Sequence, residues 1–122
     1  MTTLLSRLDV RSSEFEANRA EMLRLLERVN EANREALEGG GARYVDRHRS
    51  RDKLLARERI ELLVDRDSAL VELSPLAGWG TKDPLGSGIV TAIGVVSGRE
   101  CVIIANDPTV RGGSQNPSTV AQ

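Results

Sequence analysis

The chain has 122 residues, a formal net charge of -1, and an aromatic content of only 2%, which leaves Phe15, Tyr44 and Trp79 as the whole aromatic set. Any core must therefore rest on Leu, Ile, Val and Ala, and the near-neutral balance lacks the basic face expected of a nucleic-acid partner. Met1 to Val10 carries Arg7 and Asp9 in place of an unbroken apolar run, so it reads as neither signal peptide nor spanning helix, and a cytoplasmic protein is expected. The lone Cys101 has no internal disulfide partner, and its apolar neighbours mark it as an inert core residue rather than a nucleophile.

Ser13 and Glu16 have capping-box spacing and open a long helical pattern. Phe15, Met22, Val29 and Ala36 recur every seven residues, with Leu25 and Ala32 between them, which draws one narrow apolar stripe among charged faces. Gly39, Gly40 and Gly41 end the pattern, so a helix is expected over 13–38. A stripe this narrow suits an arm laid across another surface or a solvated helix, and both readings stay open.

From Ala42 to Lys53 the chain is basic: Arg43, Arg47, His48, Arg49, Arg51 and Lys53 stand against Asp46 and Asp52. A phosphate-binding role is one reading; a solvated connector with local ion pairs is the other, favoured because no aromatic residues interleave to stack on bases. His48 has no second His or Cys nearby, so no metal site is expected. Ala56, Ile60 and Leu63 share a face and predict a short helix over 54–64, followed by a turn and a brief extended segment at Ala69 to Val71.

Near Ser74 and Pro75 the sequence changes character. Of the 35 charged residues 29 lie in 1–72, whereas 8 of the 11 glycines and all 4 prolines follow, so charged helix gives way to glycine-punctuated strand and loop. Residues 76–87 read as a loop holding Trp79. The run from Ile89 to Val96 and the run Cys101 to Ala105, separated by Ser97 and Gly98, predict an antiparallel hairpin, which is marginal without further strands or helices on its faces. The Cys101 run is continuous rather than alternating, which predicts a strand buried on both faces and ending at Asn106 or Asp107, before Pro108. Arg111, Gly112, Gly113 and Ser114 then expose backbone amides and one cation: either an anion cradle or a tight strand exit with Arg111 in water, the exit favoured on local pattern. The spacing is not that of a Walker A loop.

Three stretches, GGGARYVDRHRSRDKLLARERIELLVDRDS, VELSPLAGWG and GIVTAIGVVSGRECVIIANDPTVRGGSQNPSTV, together resemble the carboxyltransferase (β) subunit of biotin-dependent acyl-CoA carboxylases of the propionyl-CoA and methylcrotonyl-CoA type. The SPLAG and RECVIIANDPTVRGG segments look closer to the methylcrotonyl-CoA type. The resemblance implies a crotonase-like α/β fold and divides the chain into a tail (1–12), a helical region (13–72) and the start of a carboxyltransferase domain (73–122). It implies transfer of a carboxyl group from carboxybiotin, carried on a partner protein, to an acyl-CoA. An enolate oxygen forms in such a reaction, and each oxyanion-hole donor lowers the barrier by about 2.7–4 kcal/mol.

The glycines that supply those donors in the family are expected past Gln122, so no catalytic residue and no metal ligand is assigned, and the chain alone is expected to be inactive. Asn106, Asp107, Arg111, Gly112, Gly113 and Ser114 match the family's strand-exit loop on the CoA side and are the candidate substrate-adjacent residues. No cofactor is expected on this chain. The implied partners are a biotin carboxylase or biotin carboxyl carrier (α) subunit and other β subunits in a homo-oligomer. Asp52 stands where the family usually has Gly, and Ala121 and Gln122 follow Val120 where the family commonly continues into a basic helix. Alternative readings are an interaction module that docks through the 13–38 helix and a small CoA-binding domain around Arg111 to Ser114.

Overall fold

The computed structural model describes residues 8–114; the first part of the expected tail and the end of the closing loop lie outside the described residues. The chain divides into two compact units, Met1–Glu31 and Ala32–Gln122, and the division falls inside the first helix, α1 (Ser13–Leu37).

In the first unit α1 starts one residue earlier in its capping than the pattern suggests. Ser12 is the cap: its Oγ accepts the Phe15 N–H at 3.2 Å, its carbonyl accepts the Glu16 N–H at 3.1 Å, and its hydroxyl donates to the Asp9 carbonyl. Ser13 is already helical, so the Ser13/Glu16 box does not form. Glu21 and Arg24 pair on the exposed side through two hydrogen bonds of 2.9 and 2.6 Å, and that contact holds the Glu21 carboxyl below the usual range. Phe15 and Val29 of the stripe are half-buried, whereas Met22 and Leu25 remain 57% and 39% exposed.

The second unit begins with the end of α1, where Ala32 and Ala36 are buried. The supposed connector after the glycines is instead a helix, α2 (Ala42–Arg49), with Arg47, His48 and Arg49 in its last turn, where cations meet the negative end of the helix dipole. Helix α3 (Ala56–Leu63) is slightly shorter than expected. Glu58 begins it: its carboxylate accepts the Leu55 N–H at 2.7 Å and the Arg49 guanidinium at 2.7 Å. The Leu55 amide first, and Arg49 second, hold the Glu58 carboxyl below the ordinary range.

Three antiparallel strands follow in the order β1 (Leu70–Leu73), β2 (Ile89–Val96), β3 (Arg99–Asn106). The expected hairpin is β2–β3, with Ile93 opposite Val102 and Val96 opposite Arg99. Ser97 and Gly98 have φ of 52° and 74°, the left-handed pair of a type I′ turn, and the Asp65 carboxylate clasps both of their N–H groups at 2.7 Å. The upstream segment supplies the third strand that a lone hairpin lacks. Helix α3 packs on one sheet face, burying Ala56 and Ile60 against Val90 and Ile103, with Val64, Val96, Cys101 and Ala105 around them. Gly94 makes this approach close: a Cβ there would sit 2.9 Å from Val64 Cγ1. Arg57 of α3 forks onto Glu72 of β1 at 2.6 and 3.0 Å, tying helix to sheet.

Expected burial of β3 on both faces is overturned. Ile103 is 8% exposed, but Val102 and Ile104 are 67% and 69% exposed, because β3 is an edge strand and α3 covers a single face. Val71 and Ile93 share that open face. Among the described residues no helix is long and apolar enough to cross a membrane.

Candidate functional site

Strand β3 ends at Asn106, as the proline predicts, and the following loop turns back against Gly88 and Gly40. Asp107 donates its N–H to the Gly88 carbonyl at 2.8 Å. Its buried carboxylate oxygen Oδ1 accepts the Thr109 N–H at 2.8 Å and the Thr109 hydroxyl at 2.6 Å. Thr109 Oγ1 in turn accepts the Gly40 N–H at 3.0 Å. The triple glycine is thus more than a helix stop. A Cβ on Gly40 would lie inside the van der Waals envelope of the Thr109 carbonyl, and one on Gly39 would meet Asp107 Oδ2 and Thr109 Oγ1 at 2.8 Å, so only glycine lets this backbone approach the loop.

After this latch the candidate loop reaches the surface. Arg111, Gly112 and Gly113 form a short turn with φ of 46°, 70° and 76°, closed by the Ser114 hydroxyl donating to the Arg111 carbonyl at 3.0 Å. Arg111 makes a long contact of 3.5 Å with Asp83. Of the six candidate residues, Asn106, Arg111, Gly112 and Ser114 are exposed, Gly113 is half-buried, and Asp107 is committed to the latch. The turn borders a cavity of about 650 Å³ that also takes in Lys82, Asp83 and Tyr44.

Gly112 and Tyr44 also line a second cavity of about 830 Å³, whose other walls come from the end of α2, the 50–54 turn and α3. Arg47, Arg51, Lys53 and Arg59 line it, with Asp52 as its carboxylate. This cleft lies in the stretch for which the solvated connector was favoured; its concavity depends on α3 and Pro108, which local sequence does not bring together. Among the described residues no cluster of three or more His, Cys, Asp or Glu could hold a metal ion.

The helix–sheet arrangement and strand-exit loop define a crotonase-like α/β fold of the carboxyltransferase kind. The β subunit of geranyl-CoA carboxylase from P. aeruginosa superposes with a TM-score of 0.84 at 32% identity, over 98% of this chain and 23% of that one. Transcarboxylase 12S, solved as a hexamer with methylmalonyl-CoA bound, superposes with a TM-score of 0.71 at 29% identity, over 82% of this chain and 21% of its own. A carboxyl transferase domain profile matches residues 47–122, and the chain belongs to that family. Similar proteins include a probable biotin-dependent acyl-coenzyme A carboxylase beta2 subunit of Mycobacterium tuberculosis, 51% identical over 96% of this chain and 22% of the relative. A probable mitochondrial methylcrotonoyl-CoA carboxylase beta chain of Drosophila melanogaster is 47% identical over 96% of this chain and 21% of the relative. The chain therefore spans about a fifth of the length of these relatives.

Proposed function

We propose that the chain is the amino-terminal, acyl-CoA-side portion of the carboxyltransferase (β) subunit of a biotin-dependent acyl-CoA carboxylase, of the methylcrotonyl-CoA rather than the propionyl-CoA type. The observation that carries this is 51% identity to an acyl-CoA carboxylase β subunit along nearly the whole chain, together with the shared fold. The subtype is supported by identities of 43–50% to methylcrotonyl-CoA carboxylase β chains against 40–41% to acetyl-/propionyl-CoA β subunits.

In this reading Asn106 and the Arg111–Ser114 turn border the acyl-CoA, and Asp107 and Thr109 keep that turn in place. Carboxybiotin on a partner subunit supplies the carboxyl group, and the oxyanion donors come from further segments of the carboxyltransferase domain. The purified chain, incubated with methylcrotonyl-CoA, bicarbonate, ATP and a biotin carboxylase with its biotin carrier, should give no carboxylated product while binding CoA saturably. Turnover by the chain alone would refute this division of labour, and absence of CoA binding at millimolar ligand would refute the acyl-CoA role.

A second reading, docking onto full-length β subunits through α1, is favoured by the exposure of Met22, Leu23, Leu25 and Leu26 in the first unit. Co-elution of labelled chain with a full-length carboxylase that is lost on Met22→Ser/Leu26→Ser would support it, and elution at separate volumes would remove it.

A further inference from the structure

The outer edge of β3 has a chemistry set by the phase of the hairpin. The Asp107 N–H donates to the Gly88 carbonyl, and stepping by two along the register makes Val90–Ala105, Ala92–Ile103, Gly94–Cys101 and Val96–Arg99 the hydrogen-bonded pairs. Arg99, Cys101, Ile103 and Ala105 therefore direct their N–H and C=O groups to β2. Glu100, Val102, Ile104 and Asn106 direct theirs away from it, where no strand pairs with them among the described residues. The opposite edge of the sheet, β1, has 4 residues against the 8 of β3, and its Glu72 is tied to Arg57.

Edges of this kind are ordinarily blunted by Pro, Lys, a bulge or a central charge. The register of β3 on β2 is unbroken, so it carries no bulge; Pro and Lys are absent from 99–106, and both charges, Arg99 and Glu100, sit at the hairpin end. A second copy related by a two-fold axis must set outward residues opposite outward residues, which leaves centres on Val102, Ile103 or Ile104. Centred on Val102, the pairing puts Glu100 against Ile104 of the other copy. Centred on Ile104, it puts Val102 against Asn106 and carries Glu100 to Pro108, which has no N–H to give. Centred on Ile103, Val102 meets Ile104 in both copies, Glu100 meets Asn106, whose side-chain amide can donate to it, and like charges stay at opposite ends.

We propose that the chain pairs with a second copy of itself through β3, antiparallel and centred on Ile103, joining two three-stranded sheets into one. The two-fold axis runs through the sheet, so both copies of α3 stay on one face. On the other face Val71, Ile93 and Val102 of one copy continue into Ile104 and Thr91 of the next, a single apolar row. The exposed Val102 and Ile104 thus gain a cross-strand neighbour, and the outward amides gain the partners that a lone edge leaves to water.

Sedimentation equilibrium on the full chain should show its mass rising from 13.3 kDa toward twice that value between about 10 μM and about 1 mM. Over the same range amide exchange at Val102 and Ile104 should slow, while Ile103 stays protected throughout. Val102→Lys/Ile104→Lys should weaken association about tenfold or more, whereas Val71→Lys, on the same face but at the far edge, should leave it unchanged. Ala105→Cys reads the register: it sets a thiol opposite Cys101 of the other copy at the roughly 4.5 Å Cα spacing of a non-hydrogen-bonded pair, so mild oxidation should give a disulfide-linked dimer that Ala105→Cys/Cys101→Ser does not. If the double lysine variant does not fold, exchange and cross-linking still decide. A mass fixed at 13.3 kDa, an equal loss from Val71→Lys, which would mark face-to-face stacking, or cross-linking that survives Cys101→Ser would overturn the proposal. So would association through Val102 and Ile104 with a full-length carboxylase β subunit but not between copies, which gives the edge to a different strand.

Discussion

Two polar regions of the second unit, neighbours across Pro108, use their polar groups in opposite ways. In the Asp107–Thr109 latch the carboxylate, hydroxyl and amides are engaged with one another and with Gly40 and Gly88, and the side chains are buried. In the α2–α3 cleft the cations stay solvated and face a cavity. A buried polar group must find its partner inside the fold, because an unmet one costs about 1–3 kcal/mol, whereas a solvated cation is free to meet a ligand. The latch is framework, whereas the cleft leaves its cations in contact with solvent. The same contrast divides β3, whose Ile103 is packed under α3 while Ile104 faces out.

The sharpest test of that contrast is the pair Ile103→Ala and Ile104→Ala. The first should cost about 2–5 kcal/mol in chemical denaturation and the second no more than about 0.5 kcal/mol, and equal costs would show that something covers the outer face. Gly40→Ala forces a methyl into the Thr109 carbonyl and should cost on the order of 3 kcal/mol by the same measurement. Asp107→Ala strips the Thr109 amide and hydroxyl of their acceptor and should cost about 1–2 kcal/mol, with faster amide exchange at Thr109 and Gly40.

Glu58, between latch-like and cleft-like behaviour, gives a pH readout. Its carboxyl titrates lower in the fold than in the unfolded chain, so its contribution is present above the unfolded value near pH 4.3 and is lost as pH falls through the folded one. Glu58→Gln should flatten the acid limb of a stability profile, and a profile identical to that of the parent would show the pairing to be idle. The smallest effect belongs to Ser87, buried with a hydroxyl that has no partner among the described residues: Ser87→Ala should change stability by no more than about 0.5 kcal/mol, where a larger loss would reveal a hidden hydrogen bond.

Elements with a strong period or turn chemistry were legible along the chain. The long helix is placed to within a residue by its stripe and the glycines behind it, and the β2–β3 hairpin follows from two apolar runs around Ser97 and Gly98. Helix α2 was not, because only Ala42, Tyr44 and Val45 interrupt its charges and no apolar stripe marks it. The cap at Ser12 was missed because Ser13 carries the same chemistry with better spacing to Glu16.

Sequence by itself determined the helices and strands with periodic patterns, the family, and the residues of the strand-exit loop, since local backbone preferences and motif order are written along one dimension. Tertiary structure alone decided which polar residues are spent on the fold and which remain solvated. Gly40 meets Thr109, Asp65 meets the hairpin turn, and Arg59 joins Arg51 across a cleft only once the chain closes on itself, and burial and partner choice are properties of that closure.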